Sequence, residues 1–195
     1  MAAEPVHSLT IPLSSAQVKS LRAGDRIRLS GVLLTTRDAA HKRLVELIAA
    51  SQPLPTRRIW AGDVLRRSNA ATAWDGDRLG WADNWGTDGH ICTYAPKLMA
   101  LGLKGMIGKG SRSHQVREAM QEHTCVYFGA VGGAGAVLSK YIRSAEVLAY
   151  EDLGTEAIRR LVVEDFPVVV INDVYGNDLY EEGRKQYVRE GARET

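Results

Sequence analysis

An α/β layered domain is the fold class this sequence predicts, and three observations carry the expectation. Short apolar or β-branched runs alternate with segments of helical period along the chain. The 195 residues are the size of one domain able to bury roughly 70% of its unfolded surface. Apolar residues make up 45% and charged residues 25%, the balance of a packed globular chain rather than a disordered or fibrous one. The expected organisation is a single domain over residues 1–195, with 181–195 as a charged tail.

Leu9, Ile11 and Leu13 alternate with polar residues like a short edge strand, and Ser14 or Ser15 caps a short helical turn through Leu21. Gly24-Asp25 turns the chain into Arg26 to Leu34, whose alternating start (Ile27, Leu29) and apolar end read as a strand entering a core. Ala40, Leu44, Leu47 and Ile48 follow i, i+4, i+7, i+8, so a helix runs from Asp38 to about Ala50. Thr35-Thr36-Arg37 is therefore a strand-to-helix junction. Ser51 to Ala95 is the least regular stretch, long enough to be functional or to hide short strands. Pro96 is placed for the first turn of a helix that runs to Leu101 and stops at Gly102, before a strand at Met106-Ile107. Ser113 caps the next helix, Cys125 to Val131 reads as a buried strand, and Gly132-Gly133 opens another helix. Val147 to Tyr150 and Val168 to Ile171 supply further strands, and the charged tail after Tyr180 reads as a solvated helix.

The formal net charge is +2 with the signs interspersed, which gives no footprint for nucleic acid; an anionic ligand must be held locally. The longest aliphatic runs, such as Val168 to Ile171, fall far short of the roughly 18 residues a membrane span needs. With no signal-peptide pattern at the N-terminus, the expectation is a cytoplasmic protein with no membrane partner. Cys92 and Cys125 are the two cysteines, too few for an iron–sulfur cluster, which takes three or four thiolates.

Three segments could carry chemistry. Gly108-Lys109-Gly110 follows an apolar strand and precedes a helix, where free amides and one ammonium can meet an anion; the spacing is not a Walker loop, and a plain glycine turn is the alternative. Arg37 at its junction offers a planar fork suited to a carboxylate, and His41 lies one turn into the following helix, where packing is its ordinary role. Thr87, Asp88, His90 and Cys92 place hydroxyl, carboxylate, imidazole and thiol within six residues, able to do acid–base work though matching no metal spacing. Gly132-Gly133-Ala134-Gly135 lacks the dinucleotide-binding pattern and reads as close packing.

Leu29-Ser-Gly-Val-Leu-Leu-Thr-Thr-Arg-Asp-Ala-Ala-His-Lys-Arg43, Leu101-Gly-Leu-Lys-Gly-Met-Ile-Gly-Lys-Gly110, Tyr127-Phe-Gly-Ala-Val-Gly-Gly-Ala134 and Tyr150-Glu-Asp-Leu-Gly-Thr-Glu-Ala-Ile158 occur in this order. Together they resemble the β subunit, or C-terminal domain, of class I (iron–sulfur) fumarate hydratases and L-tartrate dehydratases, from about Leu9 to Tyr180. The resemblance implies a swivelling β/β/α domain. It also implies an α-type partner subunit that supplies a four-iron four-sulfur cluster, and an oligomer. Arg37 and Lys109 match family positions that bind substrate carboxylates, with His41 in the same motif as Arg37. The family's third motif is altered. Anchoring on Thr93-Tyr94-Ala95-Pro96 puts Asn84 to Cys92 in its place, with Gly86 at the threonine base and His90 at a carboxylate-binding arginine.

The expected function is thus the β subunit of an iron–sulfur-dependent hydro-lyase acting on a malate-, fumarate- or tartrate-like hydroxy acid. Asp88, His90 and Thr87 are the catalytic candidates, and Arg37, Lys109 and His41 the substrate-binding ones. The alternatives are a non-catalytic or regulatory subunit, or a stand-alone domain acting on another small acid through Asp88 and His90.

Overall fold

The computed structural model describes residues 6–52, 55, 80–83, 90–130 and 135–187. Strand β1 (Val6–Ile11) leads into helix α1 (Ser15–Ser20), whose start is fixed by a capping box. The Gln17 amide donates to Ser14 Oγ at 3.2 Å, and the Ser14 amide donates to Gln17 Oε1 at 2.8 Å. Strand β2 (Arg26–Thr36) and helix α2 (Asp38–Ala49) follow, joined by Arg37. Next come β3 (Gly80–Asp83), α3 (His90–Ala100), β4 (Gly105–Gly108), α4 (His114–His123) and β5 (Val126–Gly129). The chain continues through α5 (Gly135–Leu138), β6 (Ile142–Ala149), a 3-10 turn (Glu151–Glu156), β7 (Ile158–Asn172) and α6 (Leu179–Tyr187).

The seven strands run in the order β1-β2-β3-β4-β5-β7-β6, and an added β2–β7 pairing closes β2, β3, β4, β5 and β7 into a ring. Neighbours from β1 to β5 are parallel, whereas β7 runs antiparallel to β2, β5 and β6. Two cores result, because side chains of a strand alternate between faces. Ile27, Leu29 and Leu33 of β2, Ile107 of β4, Val126 and Phe128 of β5, and Val168 and Val170 of β7 share one core with Val18 of α1. Their neighbours Leu34, Met106, Tyr127 and Ile171 face the other, packed by Leu44 of α2, Leu98 and Met99 of α3, and Met120 of α4. This two-sided sorting is the β/β/α layering of the swivelling domain class.

Three expectations shift. Helix α3 begins six residues before Pro96 and carries that proline inside. An internal proline costs a helix on the order of 3 kcal/mol, which the burial of Ala95, Leu98 and Met99 offsets. Strand β7 extends over 15 residues, far beyond Val168 to Ile171; its first half runs through the half-exposed stretch Arg159 to Val162 and the exposed Glu164 and Asp165, which carry little apolar signal. Strand β6 starts at Ile142 rather than Val147, an exposed edge with little apolar signal. The short strand β3 emerges from the irregular stretch, as anticipated. Helix α6 begins the charged tail with Glu181, Glu182, Arg184 and Lys185 exposed; 188–195 lie outside the described residues. Among the described residues, no helix is long and apolar enough to cross a membrane.

Candidate functional site

The carboxyl ends of the parallel strands gather at one rim, where ligands of α/β sheets commonly bind. Register places Thr36 opposite Asp83, Ala82 opposite Ile107 and Gly108 opposite Gly129, so β2, β3, β4 and β5 end at one level. Arg37 leaves the end of β2 and Lys109 the end of β4. With one strand between them, their backbones stand about 10 Å apart, two strand spacings. Both side chains are partly exposed, and among the described residues neither makes an ion pair or hydrogen bond. Two cations on one rim that pair with no described carboxylate are suited to holding an external anion.

Local structure fixes both. Arg37 is the N-cap of α2 in an extended conformation and gives that helix no side-chain cap. The missing acceptor comes from far along the chain: the Ala39 amide donates to Glu156 Oε2 at 3.0 Å. Arg43 on α2 also pairs with Asp152 at 2.7 Å and lies over the Tyr150 ring at 5.3 Å. The motif Tyr150 to Ile158 therefore clamps the start of α2. At β4, a Cβ on Gly108 would stand 2.7 Å from Arg112 Nη2, so the glycine lets the guanidinium lie close against the strand end. The Arg112 guanidinium lies 4.1 Å over the Tyr127 ring, and the Tyr127 hydroxyl donates to the Gly110 carbonyl at 3.1 Å.

His41 is 4% exposed, its ring stacked on Tyr94 of α3 with centroids 6.5 Å apart. Burial lowers its pKa from 6.5 to about 4, against an opposing hydrogen bond with the Arg37 backbone. The imidazole is neutral at pH 7 and sits beneath Arg37, a geometry that supports positioning of that residue. His90 is the first residue of α3. Thr87 and Asp88 lie outside the described residues. Arg112 and Glu156 were not singled out from sequence as site residues. The first was signalled only by following the glycine loop, the second only by lying within a quoted motif.

The described residues do not fit an iron–sulfur cluster. Among them no group of three or more His, Cys, Asp or Glu side chains gathers, and the buried Cys125 thiol is pushed up to about 12 by desolvation, away from the thiolate a cluster requires.

Fold and site together define an α/β domain of the swivelling β/β/α class that presents paired cations on a strand rim. The chain belongs to the family described as Fumarase C-terminus, whose family model matches residues 4–183. It is 35% identical over 171 residues to "Fumarate hydratase class I, anaerobic" of Escherichia coli (strain K12), covering 86% of this chain and 30% of that protein. It is 33% identical over 171 residues to "Fumarate hydratase 2" of Leishmania major, covering 84% and 29%. It is also 27% identical over 183 residues to "Putative L(+)-tartrate dehydratase subunit beta" of Methanocaldococcus jannaschii, covering 89% of this chain and 91% of that one. The chain thus spans about 30% of the length of the fumarate hydratases and nearly all of the tartrate dehydratase subunit.

Proposed function

We propose that this chain is the β-type, carboxylate-gripping part of a hydro-lyase acting on a small hydroxy acid related to malate or tartrate. The carrying observation is the pair Arg37 and Lys109, about 10 Å apart on the strand rim and unpaired with any described carboxylate. Arg37 supplies a bidentate fork and Lys109 a point charge with three donors, so a substrate carboxylate is oriented by one and neutralised by the other. His41 holds the Arg37 peptide as a neutral ring. Thr87, Asp88 and His90 are the proton-handling segment, with Asp88 the candidate base in place of the family's threonine. An α-type subunit is the proposed partner, supported by the name of the Methanocaldococcus jannaschii relative, a subunit beta that this chain matches over 91% of its length. The iron–sulfur cluster belongs to that partner.

The test is co-purification with the product of the adjacent reading frame, followed by kinetics on malate, fumarate and tartrate. Arg37→Ala and Lys109→Ala should each lower kcat/KM by at least tenfold, the loss of a charge-assisted pair. Unchanged kcat/KM in both would overturn the reading. Asp88→Asn should lower kcat with little change in KM. If His90 occupies the place of the missing arginine, His90→Arg should strengthen dicarboxylate binding; no effect in either variant would favour a non-catalytic subunit.

A further inference from the structure

The loop joining β4 to α4 forms, with α4 and α6, a cleft of about 710 Å³, within the usual range of small-molecule sites. Its walls include Ser111, Arg112, Arg117, Asp178, Glu181 and Arg184. The two carboxylates are already engaged, since Arg117 contacts Asp178 at 3.2 Å and Glu181 at 2.6 Å. Arg112 has no such partner. Its residue is only 7% exposed, its Nε is buried without an acceptor, and among the described residues it makes no ion pair or hydrogen bond. Among the described residues the Tyr127 face, 4.1 Å away, compensates it. A buried guanidinium strongly favours a counter-ion, and its planar donors match the paired oxygens of a carboxylate or phosphate. Arg184 at the exposed side likewise pairs with no described carboxylate, and the cleft walls carry one net positive charge.

We propose that this cleft binds a small oxyanion, with Arg112 as its bidentate anchor and Arg184 and Ser111 at its mouth. The ligand group is a phosphate or carboxylate carried on a small molecule. The proposal needs no assumption about the reaction served by Arg37 and Lys109.

Thermal-shift and calorimetric titrations of the full chain with inorganic phosphate, and separately with succinate, test it and tell the two sources apart. One or both should bind saturably, beyond the effect of sodium chloride at equal ionic strength. Arg112→Met, which keeps an apolar stem on Tyr127, should weaken binding at least tenfold, and Arg184→Ala severalfold. Arg143→Ala, whose side chain pairs with Glu164 on an exposed surface outside the cleft, should leave it intact. No saturable binding of either probe, or binding left unchanged by both Arg112→Met and Arg184→Ala, would overturn the proposal. Should Arg112→Met fail to fold, Arg184→Ala and Ser111→Ala decide: unchanged affinity in both refutes the site.

Discussion

Protonating His41 should destabilise the fold by an amount its burial sets. In the folded state the ring titrates at about 4, against 6.5 when unfolded. Between these values the unfolded chain binds a proton that the folded chain excludes, so stability is fully present above pH 6.5 and falls as pH drops toward 4. The limiting loss is about 3 kcal/mol, and the part incurred between pH 7 and pH 5 is about 2 kcal/mol. Urea unfolding of the parent and of His41→Gln at both pH values isolates the effect, because the two proteins differ only in that side chain. The parent should lose about 2 kcal/mol more than the variant on acidification. Equal losses would refute the account, and with it the neutral ring beneath Arg37.

Two further outcomes concern the frame around the rim. Gly31 sits at a β-bulge of β2 with φ +130°, where a Cβ would run into the Ile11 carbonyl oxygen of β1, so Gly31→Ala should cost at least about 3 kcal/mol in urea unfolding. A loss under about 1 kcal/mol would mean the β1–β2 register adjusts freely. Glu156→Ala removes the acceptor for the Ala39 amide and should cost about 1 kcal/mol, with Glu156→Gln recovering part of it; equal stability of all three proteins would exclude a capping role.

Elements whose local chemistry suffices were legible in the sequence. Ser113 caps α4 as read and Ser14, one of the two candidates, caps α1, and the apolar spacing of Ala40 and Leu44 marks the buried face of α2. The ring closure was not legible, since it depends on β7 pairing with β2 more than a hundred residues away, and half of β7 faces solvent with charged side chains. For the site, the junction at Arg37 and the glycine loop at Lys109 could be found from strand–helix boundaries alone. The clamp by Glu156 and Asp152 could not, because only the folded chain brings the 3-10 turn to α2. His41 read as a site residue, but its near-complete burial against Tyr94 is a tertiary fact.

The spacing of Arg37 and Lys109 is a property of the backbone. It is set by the single strand between β2 and β4, and the closed ring leaves little room to alter it. Helix α3 is anchored in the core by Ala95, Leu98 and Met99, further along than His90. On the proposed reading, residues 84–92 can therefore change their chemistry while the fold and the two rim cations stay in place. An imidazole at His90 instead of a guanidinium gives up a permanent charge and a bidentate fork, worth about 1.5–3 kcal/mol toward a second carboxylate. A substrate with one carboxylate loses nothing by that exchange, so substrate choice in this chain should be decided at residues 84–92 rather than by Arg37 or Lys109.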